Sequence, residues 1–359
     1  MTTPANEAEA EQASIAYHLA LTQIGAATIQ DAMALWAGVP PTNTASTAAD
    51  WLGKAVHMIT TRRGRSRDLA MAYYRLVRAL RTGTTIADPR RPEPPYVTLA
   101  MLRHEFALLV GPQKPQEGAG DDEPARDTEE PERGGDDQQI KVEEIPGIKQ
   151  EHARLEHAAQ QEARTSLIAL GPQKLIRLVD EIDTKAPAKD VDKAREEAHT
   201  RAGTQQAAAA ERVVMDGARG TVWSIAQRDR RCVGYVRLSR TGTPCGWCAM
   251  LISKGFVRKK DRYRSQAAAG PTLAQLDSGD YDDGDRYHNN CHCYAEPVFS
   301  DTQVGSSPLY ALNREYAQLW PKVTNGLSGK AAVSAWRSFI RKQQKDRALA
   351  ARHNNVQEA

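Results

Sequence analysis

The 359-residue chain contains no uninterrupted apolar run of the roughly eighteen residues that a membrane-spanning helix needs. Its opening, MTTPANEAEAEQAS, is acidic and polar where a secretory signal would be basic and then apolar, so no export or membrane partner is expected. Aromatic residues are scarce at 6%, with only four Phe, and the hydrophobic share is 40%. With a mean hydropathy of −0.59, that composition implies that part of the chain lies outside any packed core. Cysteine is also sparse. Five cysteines, an odd number in a chain without an export signal, argue against a disulfide framework and for reduced thiols.

The unpacked part is legible in the charge pattern. Residues 111–137, GPQKPQEGAGDDEPARDTEEPERGGDD, hold ten acids against three bases, are rich in Pro and Gly, and show no apolar periodicity. They mark an acidic disordered linker, placed at 111–146. Setting its −7 aside from the formal +3 leaves +10 on the remainder, an asymmetry that points to an anionic partner. Arg62, Arg63, Arg65, Arg67, Arg75, Arg78 and Arg81 are opposed within their stretch by Asp68 alone. They read either as a contact for nucleic acid or an acidic protein surface, or as a solvated helix face.

Elsewhere the periodicity is helical. Leu69, Tyr73, Leu76, Val77 and Leu80 recur at spacings of three and four, with Ser66 available as an N-cap and Gly83 as a stop. Two apolar stripes between Ile15 and Leu35 predict a helix that is covered on two sides or bent near Gly25. Thr98 to Val110 forms a further short helical stretch, and Val191 to Asp229, rich in Ala, Glu, Gln and Arg, reads as one long helix lying on a partner. CVGYVRLS and CHCYAEPVF alternate as strands do, with a short helix between them ending at Gly255. The tail from Pro308 to Arg347 returns to helix.

Four of the five cysteines fall in two short pieces, TPCGWCAMLISKG and RYHNNCHCYAEPVF. A Cys-x-x-Cys turn puts two thiolates on one side of a tight loop, which suits a tetrahedral ion and, equally, dithiol redox chemistry. The second piece separates the two. His288, Cys291 and Cys293 offer further ligands that a redox turn does not need and a structural zinc site does. The expected ligands are therefore drawn from Cys245, Cys248, His288, Cys291 and Cys293, with Cys245, Cys248, His288 and one of Cys291 or Cys293 favoured. His292 should point to the opposite face of the strand, and Cys232 reads as a small buried thiol. Glu296 is the only carboxylate within the second piece, and a Cys-rich closed shell leaves no open position for catalytic water. Asp280, Asp282, Asp283 and Asp285 do not follow the order of a calcium loop and read as a solvated acidic turn.

The fold expected is mainly α with a C-terminal α+β zinc-stapled module, in several segments, and not a doubly wound sheet. Its divisions are an N-terminal helical domain at 1–110, the linker at 111–146, a helical segment at 147–230, the zinc module at 231–300, and C-terminal helices at 301–359. The two Cys-bearing pieces resemble the C-terminal module of Mu-F-like minor head proteins of tailed phages, the head-morphogenesis family. RSRDLAMAYYRLVRALRTGTTI resembles the N-terminal helices of its long actinobacteriophage versions. The resemblance covers about two thirds of the chain, and Cys245, Cys248, His288, Cys291 and Cys293 match the family's motif. It implies a minor capsid protein inside the head near the portal, present in few copies, made in the host cytoplasm and aiding head assembly, genome packaging or delivery. Its implied partners are the portal protein, the capsid or scaffold interior and packaged DNA. Long versions are often labelled capsid maturation proteases, but no Gly-x-Ser-x-Gly elbow or local Ser and His arrangement stands out here. That activity, or a zinc-dependent DNA-binding or nuclease-like effector delivered with the DNA, is the alternative.

Overall fold

A computed structural model describes residues 3–41, 44–111, 138–239, 244–258, 291 and 293–357. Three long helices organise it: α1 (Pro4–Trp36), α2 (Thr44–Thr82) and α6 (Ala188–Arg228). The alanines of α6 explain its place. Ala202, Ala207, Ala210 and Ala218 are buried, and their small side chains let α1, α2 and α4 (Ile148–Leu170) approach its backbone closely. At Gly203 an added Cβ would fall 2.4 Å from the Trp36 ring, which also donates its indole N–H to the His199 carbonyl at 3.0 Å. At Gly217 the added Cβ would lie 2.6 Å from Ser66 Oγ and 2.9 Å from the Arg63 carbonyl. The partner that this long Ala-rich helix requires is thus the rest of its own chain.

Ser66 is accordingly no N-cap. It sits inside α2, donating to the Val214 carbonyl of α6 at 2.6 Å, while Gly83, at φ 73°, ends the helix as expected. Helix α1 runs unbroken through Gly25, with Tyr17, Leu21 and Ile24 buried and Ile15 exposed. Helix α3 (Leu99–Val110) is capped by Thr98, whose Oγ1 accepts from the Met101 N–H.

A small sheet that the sequence did not announce lies beside α2. Its strands β1 (Thr84–Ile86), β2 (Tyr96–Thr98) and β3 (Gln139–Glu143) run in the order β1-β3-β2, with β3 parallel to β1 and antiparallel to β2. Residues 139–143, read above as the end of the linker, are therefore its central strand, and Ile140 is buried in the core. Residues 112–137 lie outside the described residues.

Beyond α5 (Pro172–Asp180) and α6 come β4 (Gly234–Ser239), α7 (Gly246–Ser253), β5 (Val257–Arg258) and β6 (Cys293–Val298), forming an antiparallel sheet in the order β5-β4-β6. The short α8 (Gln303–Ser306), α9 (Ala311–Val323) and α10 (Gly329–Gln357) complete the chain. The described residues are thus mostly helical, with a small sheet-bearing C-terminal part and, among them, no doubly wound sheet.

The divisions drawn from the sequence do not coincide with the core. One continuous apolar cluster takes residues from α1, α2, α3, β3, α4 and α6, and reaches Cys232, Tyr235 and Ala295 of the C-terminal part. The arginines of α2 reinforce this joining. Arg63 and Arg67 meet Glu156 at 3.1 and 3.5 Å, Arg75 meets Glu93 at 3.0 Å, and Arg78 meets Asp229 at 2.7 Å. Arg62 pairs with Asp31, and Arg81 with Glu296 at 3.2 Å. Burial alone would raise the Asp229 carboxyl, but the Arg78 guanidinium outweighs it and holds the group below the usual carboxylate range. Most of this arginine run is therefore internal wiring, neither a solvated face nor an open nucleic-acid contact.

Candidate metal centre

The Cys-x-x-Cys turn lies where β4 gives way to α7. Cys245 is the N-cap of α7, its Sγ accepting from the Cys248 N–H at 3.4 Å, a thiol in the position more often held by a hydroxyl or carboxylate. Gly246 follows because α10 crosses directly over the turn: an added Cβ would fall 2.8 Å from Arg337 Cγ and 3.0 Å from its Cα. One turn into the helix, Cys248 points inward. Cys293 opens β6 and Cys291 lies two residues before it, and both sulfurs gather beside Cys248.

The result is a cluster of three buried thiols, Cys248, Cys291 and Cys293, with all sulfurs within 4.8 Å of one another and Cys248 Sγ 3.4 Å from Cys291 Sγ. Cys245, exposed, stands at its mouth. The walls are apolar: Tyr316, Trp336 and Ile340 belong to the same buried cluster, and the Tyr316 and Trp320 rings pack edge-on to Trp336.

Two arginines supply the charge. Arg219 of α6 donates its Nε to the Cys293 carbonyl at 3.0 Å and its Nη2 to the Cys291 carbonyl, and Arg237 of β4 places Nη2 3.9 Å from Cys291 Sγ. Hydrogen bonds from Cys248 and Cys293 push the Cys291 thiol far down against the effect of burial, and the two guanidiniums add to this. Cys248 moves upward in response to its hydrogen bonds with Cys245, Cys291 and Cys293, and to burial. For Cys293 the bond from Cys248 favours the thiolate, but its hydrogen bond with Cys291, burial and the charge on Cys291 outweigh it and push the thiol up to about 12. A divalent ion would take the thiols as thiolates and displace their protons. Zinc takes thiolates at about 2.3 Å in a tetrahedron, which spaces the sulfurs by about 3.8 Å. The spacing of these three sulfurs needs only small shifts to meet that geometry, and buried soft donors are a set that zinc takes readily.

The sequence favoured one of Cys291 and Cys293; both are in the cluster. His288 and His292 lie outside the described residues, as do Asp280, Asp282, Asp283 and Asp285. Cys232 is a separate buried thiol that donates to the Gly234 carbonyl at 3.1 Å. Glu296 points away from the thiols, toward α1 and α2, accepting from Ser14 Oγ at 2.9 Å, Tyr73 Oη and Arg81 Nη1. Sequence reasoning missed Arg219 and Arg237. The second left a trace: in YVRLS the alternation that buries Tyr235 also turns Arg237 inward.

Residues 156–319 match the family model described as VG15 protein, a phage-type family, over a little under half of the chain. The match begins within α4, takes in all of α6 and the cysteine cluster, and ends within α9. No curated protein and no solved structure matches. No helix of the described residues is long and apolar enough to cross a membrane. These findings fit a phage protein whose role they leave open.

Proposed function

We propose that this phage-type chain is a minor structural protein of a tailed phage particle, held inside the head near the portal, where it aids head assembly and genome packaging or delivery. The observation that carries the reading is the VG15 match, which spans the central helix and the whole cysteine cluster. The resemblance of the two Cys-bearing pieces to Mu-F-like head-morphogenesis proteins supports the finer placement. Zinc is structural in this reading. Cys245, Cys248, Cys291 and Cys293 would hold it, and the formal −2 of a four-thiolate zinc site would be offset by Arg219 and Arg237.

Mass spectrometry of purified particles tests the proposal. The full-length chain should be present at few copies and should be lost with the portal when the particle is dissociated in stages. Its absence from particles would sink the reading. Cleavage of prohead proteins by the purified chain, abolished by a single substitution, would replace it with the maturation-protease alternative.

A further inference from the structure

The +10 left after the acidic segment must lie somewhere, and the ion pairs of α2 remove most of the arginines first assigned to it. Helix α10 is the contrast. Its 29 residues carry seven Lys and Arg against one acid, Asp346. Trp336 and Ile340 are buried against α7 and α9, while Lys330, Arg337, Arg341, Lys342 and Lys345 are exposed. At about 100° per residue these five fall within an arc of about 140° on the side turned away from that core. Among the described residues none of the five forms an ion pair with a carboxylate. At about 1.5 Å per residue the stripe is about 22 Å long, with Arg337, Arg341 and Lys345 stepping about 6 Å apart.

Two more features define the partner. No large apolar side chain is exposed between Lys330 and Arg347, so the face lacks the apolar centre around which protein interfaces are built. The stripe is also held rigidly. Arg337 lies over the Trp247 ring at 5.8 Å, and Gln344 donates to the Pro244 carbonyl at 2.9 Å, so α10 is fastened to the Cys-x-x-Cys turn. A straight, rigid, unneutralised row of cations matches a linear polyanion. We propose that the solvent face of α10 binds the phosphate backbone of nucleic acid without reading sequence. The inference rests on this surface alone and does not need the phage reading to hold.

The test measures binding of the full chain to a labelled mixed-sequence DNA duplex across a salt series. The variant R341E/K342E/K345E should weaken binding at least tenfold at about 50 mM salt. It should also make the slope of log affinity against log salt shallower by about 2.7, since each lost phosphate contact removes about 0.9. A K54E/R65E variant of α2 should change affinity less than threefold. Circular dichroism and Tm verify folding, and R341Q/K342Q/K345Q repeats the measurement if the charge-reversed chain is not folded. Wild-type protein that ignores DNA at low salt, or a triple variant with unchanged affinity and slope, overturns the proposal. So does a synthetic peptide of residues 112–137 that occupies α10 and resists displacement by DNA, which would make the face a dock for the chain's own acidic segment.

Discussion

Glu296 on β6 and Arg81 in the last turn of α2 form an ion pair at 3.2 Å with both side chains out of solvent, 215 residues apart in sequence. Tyr73 and Ser14 complete the carboxylate's shell, yet burial outweighs these partners and keeps the Glu296 pKa above the usual carboxylate value. The pair fixes the cysteine-bearing strand to the N-terminal helices. Removing Glu296 takes the buried partner from Arg81 and leaves it only the partly exposed Glu7, at 3.2 Å; breaking a buried pair in this way costs about 3–5 kcal/mol. Glu296→Ala should therefore lower unfolding free energy by that order in urea, and a double replacement, E296Q/R81M, should recover part of it. A loss below about 1 kcal/mol in the single variant would show that water reaches the site and screens the pair.

Zinc should be found at one atom per chain by elemental analysis of protein purified without added metal, and Cys248→Ser or Cys291→Ser should remove it. In small peptides such sites contribute about 10–16 kcal/mol of apparent binding free energy. Because β6 is tied into the common core, chelation should lower the Tm of the whole molecule, not melt the C-terminal part alone. Metal-free protein with an unchanged Tm and a ready disulfide between Cys245 and Cys248 would establish the redox reading instead.

Gly217 tests the closeness of α2 and α6. Ala is the better helix former, so at an open site Gly217→Ala would stabilise by up to about 1 kcal/mol. Here the methyl would meet Ser66 Oγ at 2.6 Å and the Arg63 backbone at 2.9 Å, and backbone cannot swing aside. Overpacking of this kind costs about 1–3 kcal/mol. Thermal unfolding reads the sign directly, and a higher Tm would refute the tight crossing.

His152 gives the chain a pH dependence. The ring is 6% exposed on α4; burial, then Arg67 and Arg90, depress its pKa to about 4, with Asp88 opposing. Above the unfolded value near 6.5 both states are neutral and the residue contributes no slope. As pH falls from there toward 4, the unfolded chain takes up a proton that the folded one refuses, so stability declines by up to about 3 kcal/mol. His152→Phe should flatten the difference between urea midpoints at pH 7.5 and 5, and an unchanged difference would place the titration elsewhere.

What could be read from the sequence was local. The Ala-rich α6, the strand and short helix around Cys245 and Cys248, the Gly83 stop and the Cys291–Cys293 spacing all depend on neighbours within a few residues. What could not be read depends on distant partners. Ser66 has the chemistry of an N-cap, and only the approach of α6 turns its hydroxyl to the Val214 carbonyl. Arg78 looks solvated until Asp229, 151 residues on, is brought beside it. Strands of three residues are too short for period-two alternation to register, which hid β1 and β2, and the charges of KVEE made β3 look like more linker.

The central position of β3 sets how the polypeptide could be divided. Strands β1 and β2 precede residues 112–137 in the chain and β3 follows them, yet β3 lies between the two and hydrogen-bonds to both. A break anywhere in that stretch cuts covalent connection but no part of the described core, so neither piece holds a finished sheet without the other. Fragments 1–120 and 121–359, produced as separate polypeptides, should then behave as complementing halves of one molecule, recovering the shared hydrophobic centre only on mixing and eluting together from a sizing column.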